Sequence, residues 1–357
     1  MRNKMMSEIN IIEQDWKEVI LNVGSKRLKN FSKKTILITG ANGFIGRSLV
    51  YFFIYLNENF STNIKLILIA KEAKFDSKIS NLIKNKKLKF IKHDILKKTS
   101  INEKIDYVFH LAAVISPKFN STNPVEALKI NVIGTENILD ALKNIKITKF
   151  LYFSSAGVYG NPDKKNIPTK EEFNGNVSPV SFRSCYAEGK RAGEACTMAY
   201  FRQYNLPINI VRPAHMYGPL MRLNEDVTIN YFLNCGLAKK DIVLQTKGQD
   251  TRSFCYITDV LSIVLLVSLM AKSGEIFNIS NEKAEVKIID LAELICKIFD
   301  NKIKVKIQEK SKTNFFKSPM TRNVPSMEKV KNVLKFTPKI TLNDGLVRII
   351  NNLKLNK

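Results

Sequence analysis

Gly40, Gly43 and Gly46 follow the apolar run Thr35-Ile36-Leu37-Ile38-Thr39 directly, and an apolar stretch from Ser48 to Leu56 follows them. A β-branched strand that runs into glycines and then into a helix describes one physical object. The chain leaves a buried strand sharply, and side chains are absent where backbone must approach a pyrophosphate. The phosphate then rests on the positive end of the helix. The spacing is G-x-x-G-x-x-G rather than the commoner G-x-G-x-x-G. In this context it predicts dinucleotide binding, with contacts from Gly40, Asn42, Gly43, Phe44, Ile45 and Gly46.

Strand and helix signals then alternate through the first two thirds of the chain. Strands are expected at Thr35–Thr39, Lys65–Ala70, Lys89–His93, Tyr107–Leu111, Lys149–Ser154 and Ile208–Arg212, with helices such as Pro124–Lys143 and Cys185–Tyr204 between them. Strands apolar along their whole length and separated by helices require a parallel sheet covered on both faces. The fold class is therefore α/β, a doubly wound parallel sheet. After Pro213 the alternation fails. A helix is expected near Val227–Gly236, a polar hairpin-like stretch at Asp241–Gln249, helices at Thr258–Ala271, Ile288–Phe299 and Ser326–Leu334, and a strand at Glu275–Ser280. This predicts a helical extension over 1–32, a dinucleotide-binding domain over 33–212 plus about 255–281, and a smaller substrate-binding lobe over about 213–254 plus 282–357. Such a lobe would lie over the carboxyl edge of the sheet, where open α/β folds bind ligands.

Composition narrows the class. No run approaches the ~18 apolar residues that a membrane span needs. The first thirty residues carry Glu8, Glu13, Asp15 and Glu18 and no apolar h-region, so they do not read as a signal peptide. Their spacing of Ile9, Ile12, Trp16, Val19 and Ile20 predicts a short amphipathic helix. The five cysteines Cys185, Cys196, Cys235, Cys255 and Cys296 show no paired metal spacing, so we expect free thiols, no metal and a cytoplasmic setting. The net charge of +25 invites a nucleic-acid partner, but only 11 of the 57 basic residues are arginine and the lysines are scattered. A solvated lysine-rich surface is the better reading, with neither nucleic acid nor membrane as partner.

Chemistry concentrates in four further places. Asp94-Ile95 follows the third expected strand, where the carboxylate could accept from an adenine amino group or cap a helix. His110-Leu111-Ala112-Ala113 ends the fourth with small residues, leaving room for a ribose and pyrophosphate or simply packing closely. The second strand ends Ala70-Lys71-Glu72, without the usual acid for a ribose 2′-hydroxyl. Lys71 could meet a 2′-phosphate and Glu72 could replace the acid, so NADP stays open beside a preference for NAD. Finally, Tyr186 and Lys190 are four residues apart, on one helix face. A lysine ammonium near a phenol stabilises the phenolate, which a tyrosine needs in order to act as general base toward a sugar hydroxyl.

In this order the motifs resemble those of the extended short-chain dehydrogenase/reductases that modify nucleotide-diphosphate sugars. The resemblance runs from about Lys34 to the C-terminus. It rests on Ser-Ala-Gly-Val-Tyr-Gly at 155–160, Cys-Tyr-Ala-Glu-Gly-Lys-Arg at 185–191, Val-Arg-Pro-Ala-His-Met-Tyr-Gly-Pro at 211–219 and Thr-Arg-Ser-Phe-Cys-Tyr-Ile-Thr-Asp at 251–259. The stretch Pro179–Arg191 is most similar to the UDP-glucuronate decarboxylase branch. The resemblance implies a Rossmann domain, NAD, and a nucleotide-diphosphate sugar as substrate. It gives Tyr186 the acid/base role, Lys190 the nicotinamide ribose, and Ser155 the active-site hydroxyl. It puts Asn131, Ser154 and Pro213 beside the cofactor. Arg252 and Arg322 would grip the substrate diphosphate, with Arg183, His215 and Arg222 also on the substrate side. Relatives pair two long helices across a two-fold axis, which implies a homodimer.

One departure bears on the reaction. Decarboxylases and 4,6-dehydratases of this family carry an acidic residue just before Val-Tyr-Gly, and here Ala156 and Gly157 stand there. Neither can move a proton. The sequence therefore favours an epimerase or 4-keto reductase working through a 4-keto intermediate. Decarboxylation of a nucleotide-uronic acid or 4,6-dehydration is the alternative, and a non-catalytic cofactor-binding scaffold comes third.

Overall fold

The computed structural model describes residues 11–181, 184–308 and 321–355. Seven strands form the main sheet: β1 (Thr35–Thr39), β2 (Lys65–Ala70), β3 (Lys89–Lys92), β4 (Tyr107–His110), β5 (Lys149–Phe153), β6 (Ile208–Pro213) and β10 (Ile276–Ile279). Their order is β10-β6-β5-β4-β1-β2-β3, and every neighbouring pair is parallel. The chain winds outward from β1 through β3, then restarts on the other side of β1 with β4. The crevice between β1 and β4 is thus the switch point at which such sheets bind ligands.

Both faces are covered, as the uniformly apolar strands require. Ile36 and Ile38 join the core formed with helices Phe44–Phe60 and Ile257–Met270, while Leu37 joins the opposite core with helix Pro124–Leu142. In helix Ile257–Met270 every residue from Ile257 to Ser268 is buried. Its outer side is covered by the N-terminal helix Ile11–Val23. That helix is pinned by Asp15, which accepts from Tyr256 Oη (2.8 Å) and Arg348 Nη1 (2.9 Å). Among the described residues no helix is long and apolar enough to cross a membrane.

The region after β6 departs most from the sequence expectation. Five short strands there were not anticipated: β7 (His215–Tyr217), β9 (Thr251–Tyr256), β11 (Glu285–Lys287), β12 (Val305–Ile307) and β13 (Arg322–Asn323). β9 pairs with β7, β11 and β13 in a four-stranded sheet. The expected hairpin at Asp241–Gln249 does not form. Its strand, β8 (Ile242–Leu244), pairs in parallel with β12. Ile242 and Leu244 are buried, and the partner that completes their pairing comes from a distant segment rather than from a local turn. A C-terminal helix, Leu342–Leu355, was also missed.

Candidate active site

The glycine turn is shaped by backbone contact. Gly40 has φ +66°, and a Cβ there would lie 2.8 Å from Ala112 N, so any side chain would collide with the end of β4. A Cβ on Gly46 would fall within the radius of the Gly40 carbonyl oxygen, which fixes how tightly the helix closes on the turn. Helix Phe44–Phe60 has Gly43 at its N-cap and no side-chain cap, so its first N–H groups are left for an anion. His110 ties the two crevice walls together. Its Nδ1 is 2.8 Å from Thr39 Oγ1 and its Nε2 is 3.2 Å from Thr135 Oγ1, while Ala112 N donates to Thr39 Oγ1 (3.2 Å). Burial pushes the His110 imidazole down to about 3, with Lys190 adding to the effect, so the ring is neutral.

At the far end of the crevice Lys71 pairs with Asp94 (3.2 Å) and Glu126 (3.6 Å). Asp94 also accepts from Leu96 N (3.1 Å). Burial works against the Asp94 carboxylate, but the Leu96 and Lys71 contacts hold it below its ordinary range. The Lys71 ammonium thus already faces two carboxylates, an arrangement poorly suited to a 2′-phosphate. Glu72 is engaged by Lys74, while its carbonyl accepts from Asn42 Nδ2 (3.0 Å). A cavity beside this group is lined by Leu96, Asn123, Pro124 and Glu126. Ile95, next to Leu96, packs closely on Gly134 of helix Pro124–Leu142. A glycine turn with free helix N–H groups, small residues opposite and a carboxylate at the outer end fits a dinucleotide.

The catalytic candidates meet where β5 ends. Ser155 caps the short turn Ala156–Tyr159, and its Oγ accepts from Gly157 N (3.0 Å). The ring of Tyr186, in helix Ser184–Tyr204, borders the same place, since a Cβ at position 157 would touch both Ser155 Oγ and Tyr186 Cε1. Burial raises the phenol and the Ser155 contact opposes that rise. Lys190, one turn on, is 2% exposed and donates to the Phe153 carbonyl at 2.6 Å. Burial lowers it to about 7, and Glu194 opposes the fall. The expected lowering of the phenol by Lys190 is therefore not what the side chains show, because the ammonium is turned toward β5 and desolvation governs Tyr186. Gly189 lets helix Pro124–Leu142 approach: a Cβ there would lie 3.2 Å from Asn131 Cβ. Asn131 donates from Nδ2 to Ala127 O (2.8 Å), while its Oδ1 and the Ser154 Oγ are buried without a partner.

A side chain at position 157 would enter this site. A Cβ on Gly157 would stand 3.2 Å from Ser155 Oγ and 3.7 Å from Tyr186 Cε1. Backbone geometry does not demand glycine there, since its φ lies outside the left-handed region. The site simply has no group at that point.

The small sheet collects three substrate-side candidates from distant sequence. His215 on β7 pairs with Phe254, and Asn323, next to Arg322 on β13, pairs with Arg252. Burial and the Arg252 charge push His215 down to about 3, which makes it a neutral cleft histidine. Both arginines have protein partners. Arg252 is 8% exposed and donates to Thr251 O (2.7 Å), with Asp250 at 3.4 Å. Arg322 forms a bidentate pair with Glu285 (2.6 and 2.8 Å). Arg222 lies elsewhere, donating to Lys74 O (2.8 Å) in the loop beyond β2, so it is not grouped with the other two. Arg183 lies outside the described residues, and Pro213 ends β6. Sequence reading missed Arg47 in the first turn of the cofactor helix, whose Nε is buried without a partner. It also missed the buried Glu194–Arg212 pair, although Glu194 repeats the four-residue spacing of Tyr186 and Lys190.

A glycine-rich βα turn at the switch point of a parallel sheet, with a Ser–Tyr–Lys group beside it, is the arrangement of a nicotinamide-dependent short-chain dehydrogenase/reductase. Comparison with known proteins sharpens this. The chain belongs to the NAD dependent epimerase/dehydratase family, whose model matches residues 36–280. It is similar to UDP-glucuronic acid decarboxylase 6 of Arabidopsis thaliana, at 33% identity over 318 residues covering 88% of this chain and 87% of that one. Among solved structures it is similar to a UDP-glucuronic acid 4-epimerase from Bacillus cereus in complex with UDP-glucuronic acid and NAD. The TM-score is 0.73 and the identity 24%, covering 90% of this chain and 100% of that one. It also resembles a UDP-glucose 4-epimerase from Thermotoga maritima, with TM-score 0.76 and 24% identity, covering 90% and 99%. At these identities the two structures speak to the fold.

Proposed function

We propose that this protein works at C4 of a nucleotide-diphosphate sugar, either oxidising it and re-reducing the 4-keto intermediate to the epimer, or reducing a 4-keto sugar supplied to it. The observation that carries this reading is that Ser155 and the Tyr186 ring flank one point, Gly157, that bears no side chain. Tyr186 takes the proton of the C4 hydroxyl as that carbon is oxidised, and gives it back on reduction. Ser155, its Oγ fixed by Gly157 N, orients the same hydroxyl. NAD, when bound, supplies the hydride acceptor and donor. The turn from Gly40 to Gly46 would hold its pyrophosphate, Asp94 and Ile95 its adenine end, and Leu111, Ala112, Ala113, Asn131, Ser154, Lys190 and Pro213 its nicotinamide half. Turnover of a panel of UDP-, GDP-, CDP- and dTDP-sugars tests the reading. Silence toward all of them, with NAD bound, would favour the scaffold alternative.

A second reading, decarboxylation of a nucleotide-linked uronic acid, has support of its own in the names of relatives at 33–34% identity. Against it stands the missing proton donor at position 157, because the enolate left by loss of CO₂ must be protonated at C5.

Arg252 is the candidate for binding the substrate diphosphate. Arg252→Ala is expected to weaken sugar-nucleotide binding by roughly 1.5–3 kcal/mol, the worth of a charged hydrogen bond, and to leave NAD affinity nearly unchanged. Titration calorimetry with each ligand separately checks it. Equal losses for both would make Arg252 a structural residue, holding Thr251 and Thr321 in place.

A homodimer completes the proposal. Val125, Leu128 and Ile133 on helix Pro124–Leu142, and Tyr204 at the end of helix Ser184–Tyr204, keep an apolar face on the packed helix pair. Burying it against a second copy makes an isologous four-helix interface. Light scattering at micromolar concentration is expected to give twice the 40.7 kDa chain mass. The monomer mass would rule the dimer out.

A further inference from the structure

Lys190 sits in a dry position, and the groups around it make its charge a question of energetics. From β4 it faces the neutral His110, and from β5 the ring of Tyr152, with its Nζ 5.1 Å from the ring centroid. From helix Pro124–Leu142, Asn131 packs on the adjacent Gly189 and Thr135 bonds His110, and on its own helix Tyr186 precedes it and the buried Glu194 follows it by one turn. Burial opposes the ammonium, and Glu194 is the anionic group set against that penalty.

Glu194 is 8% exposed and is gripped by β6. Arg212 Nε donates to Oε1 at 2.8 Å and Nη2 to Oε2 at 2.7 Å, a bidentate fork. The remaining Arg212 nitrogen reaches Tyr159 Oη (3.1 Å) and Glu171 O (2.9 Å). Tyr159 Oη in turn donates to Asn278 Oδ1 (2.6 Å), and Asn278 N donates to Glu171 Oε1 (2.8 Å). Tyr159 closes the turn that begins at Ser155. One buried network therefore joins the helix of Tyr186 and Lys190 to the turn of Ser155.

We propose that Glu194, clamped by Arg212, is a positioning residue of the active site: it supplies the buried negative charge that keeps Lys190 protonated, and through Arg212 and Tyr159 it fixes the Ser155 turn against the Tyr186 helix. The role of Lys190 in turnover rests on the function proposed above, but the charge relation does not. The sign follows from removing the anion. With Glu194 neutral, the charged form of Lys190 loses support, so its titration midpoint falls. The alkaline limb of the turnover profile, where Lys190 deprotonates, then moves to lower pH.

The test follows the ¹³Cε resonance of Lys190 against pH in protein labelled at lysine, assigned by its loss in Lys190→Arg, without substrate. Glu194→Gln is expected to lower the midpoint by about one pH unit or more. Glu194→Asp, which keeps an ion pair but withdraws the carboxylate by one methylene, should shift it in the same direction by less. Glu194→Gln leaves a buried guanidinium unpaired. Glu194→Asp, which keeps the guanidinium paired, therefore serves if Glu194→Gln does not fold. An unmoved Lys190 midpoint in the folded variants would overturn the proposal, whatever the enzyme's substrate proves to be. A purely structural role for Glu194 would cost stability and leave that midpoint in place.

Discussion

Replacing Tyr186 by phenylalanine is expected to leave the fold and NAD binding intact and to cut turnover by about two to four powers of ten, the usual scale for an acid/base group. The change removes one oxygen from a buried site. The ring stays packed in helix Ser184–Tyr204, and the Ser155 Oγ keeps the bond it accepts from Gly157 N. What disappears is the group that exchanges a proton with the sugar hydroxyl. Lys190 is no substitute, because its Nζ is committed to the Phe153 carbonyl at 2.6 Å. Steady-state rates and NAD titration on the same preparation check this. Near-normal turnover in Tyr186→Phe would remove the mechanism.

The sheet was legible in the sequence because its strands are apolar throughout and its glycines cannot be replaced. All six strands expected before Pro213 form within a residue or so of their expected ends. A Cβ on Gly40 or Gly46 would strike protein backbone, so the turn itself needs glycine at both positions. The four-residue spacing of Tyr186 and Lys190 was readable as one helix face, whereas Ser155, some thirty residues earlier, was named only through resemblance.

The substrate lobe was not legible. β9 meets β13 across about seventy residues, and β8 meets β12 across about sixty, so no local period announces either pairing. Arg252 and Arg322 could be named as a pair only through resemblance, and Glu285, the distant partner of Arg322, lay hidden for the same reason. Charge state was the other blind spot. The sequence suggests that Lys190 lowers the Tyr186 phenol, but desolvation depends on burial, and burial is set by the packing of whole helices.

Gly157 carries the prediction with the largest chemical consequence. Eliminating water across C5 and C6 requires a proton taken from C5 and another given to the leaving hydroxyl. Decarboxylation requires a proton delivered to C5. In the proposed mechanism Tyr186 and Ser155 act at the C4 hydroxyl, and position 157, the point from which a side chain would reach the same site, is bare. The nearby Glu188 does not fill it, being paired with Arg191 on its own helix at 3.3 Å. The most direct test is the mass of the product formed from nucleotide-linked hexoses and uronic acids by the purified protein with NAD. The expected product has unchanged mass, or differs by the two hydrogens of a net redox step. A product lighter by water or by CO₂, formed faster than ~1 s⁻¹ and so within the ordinary enzymatic range, would contradict the proposed mechanism.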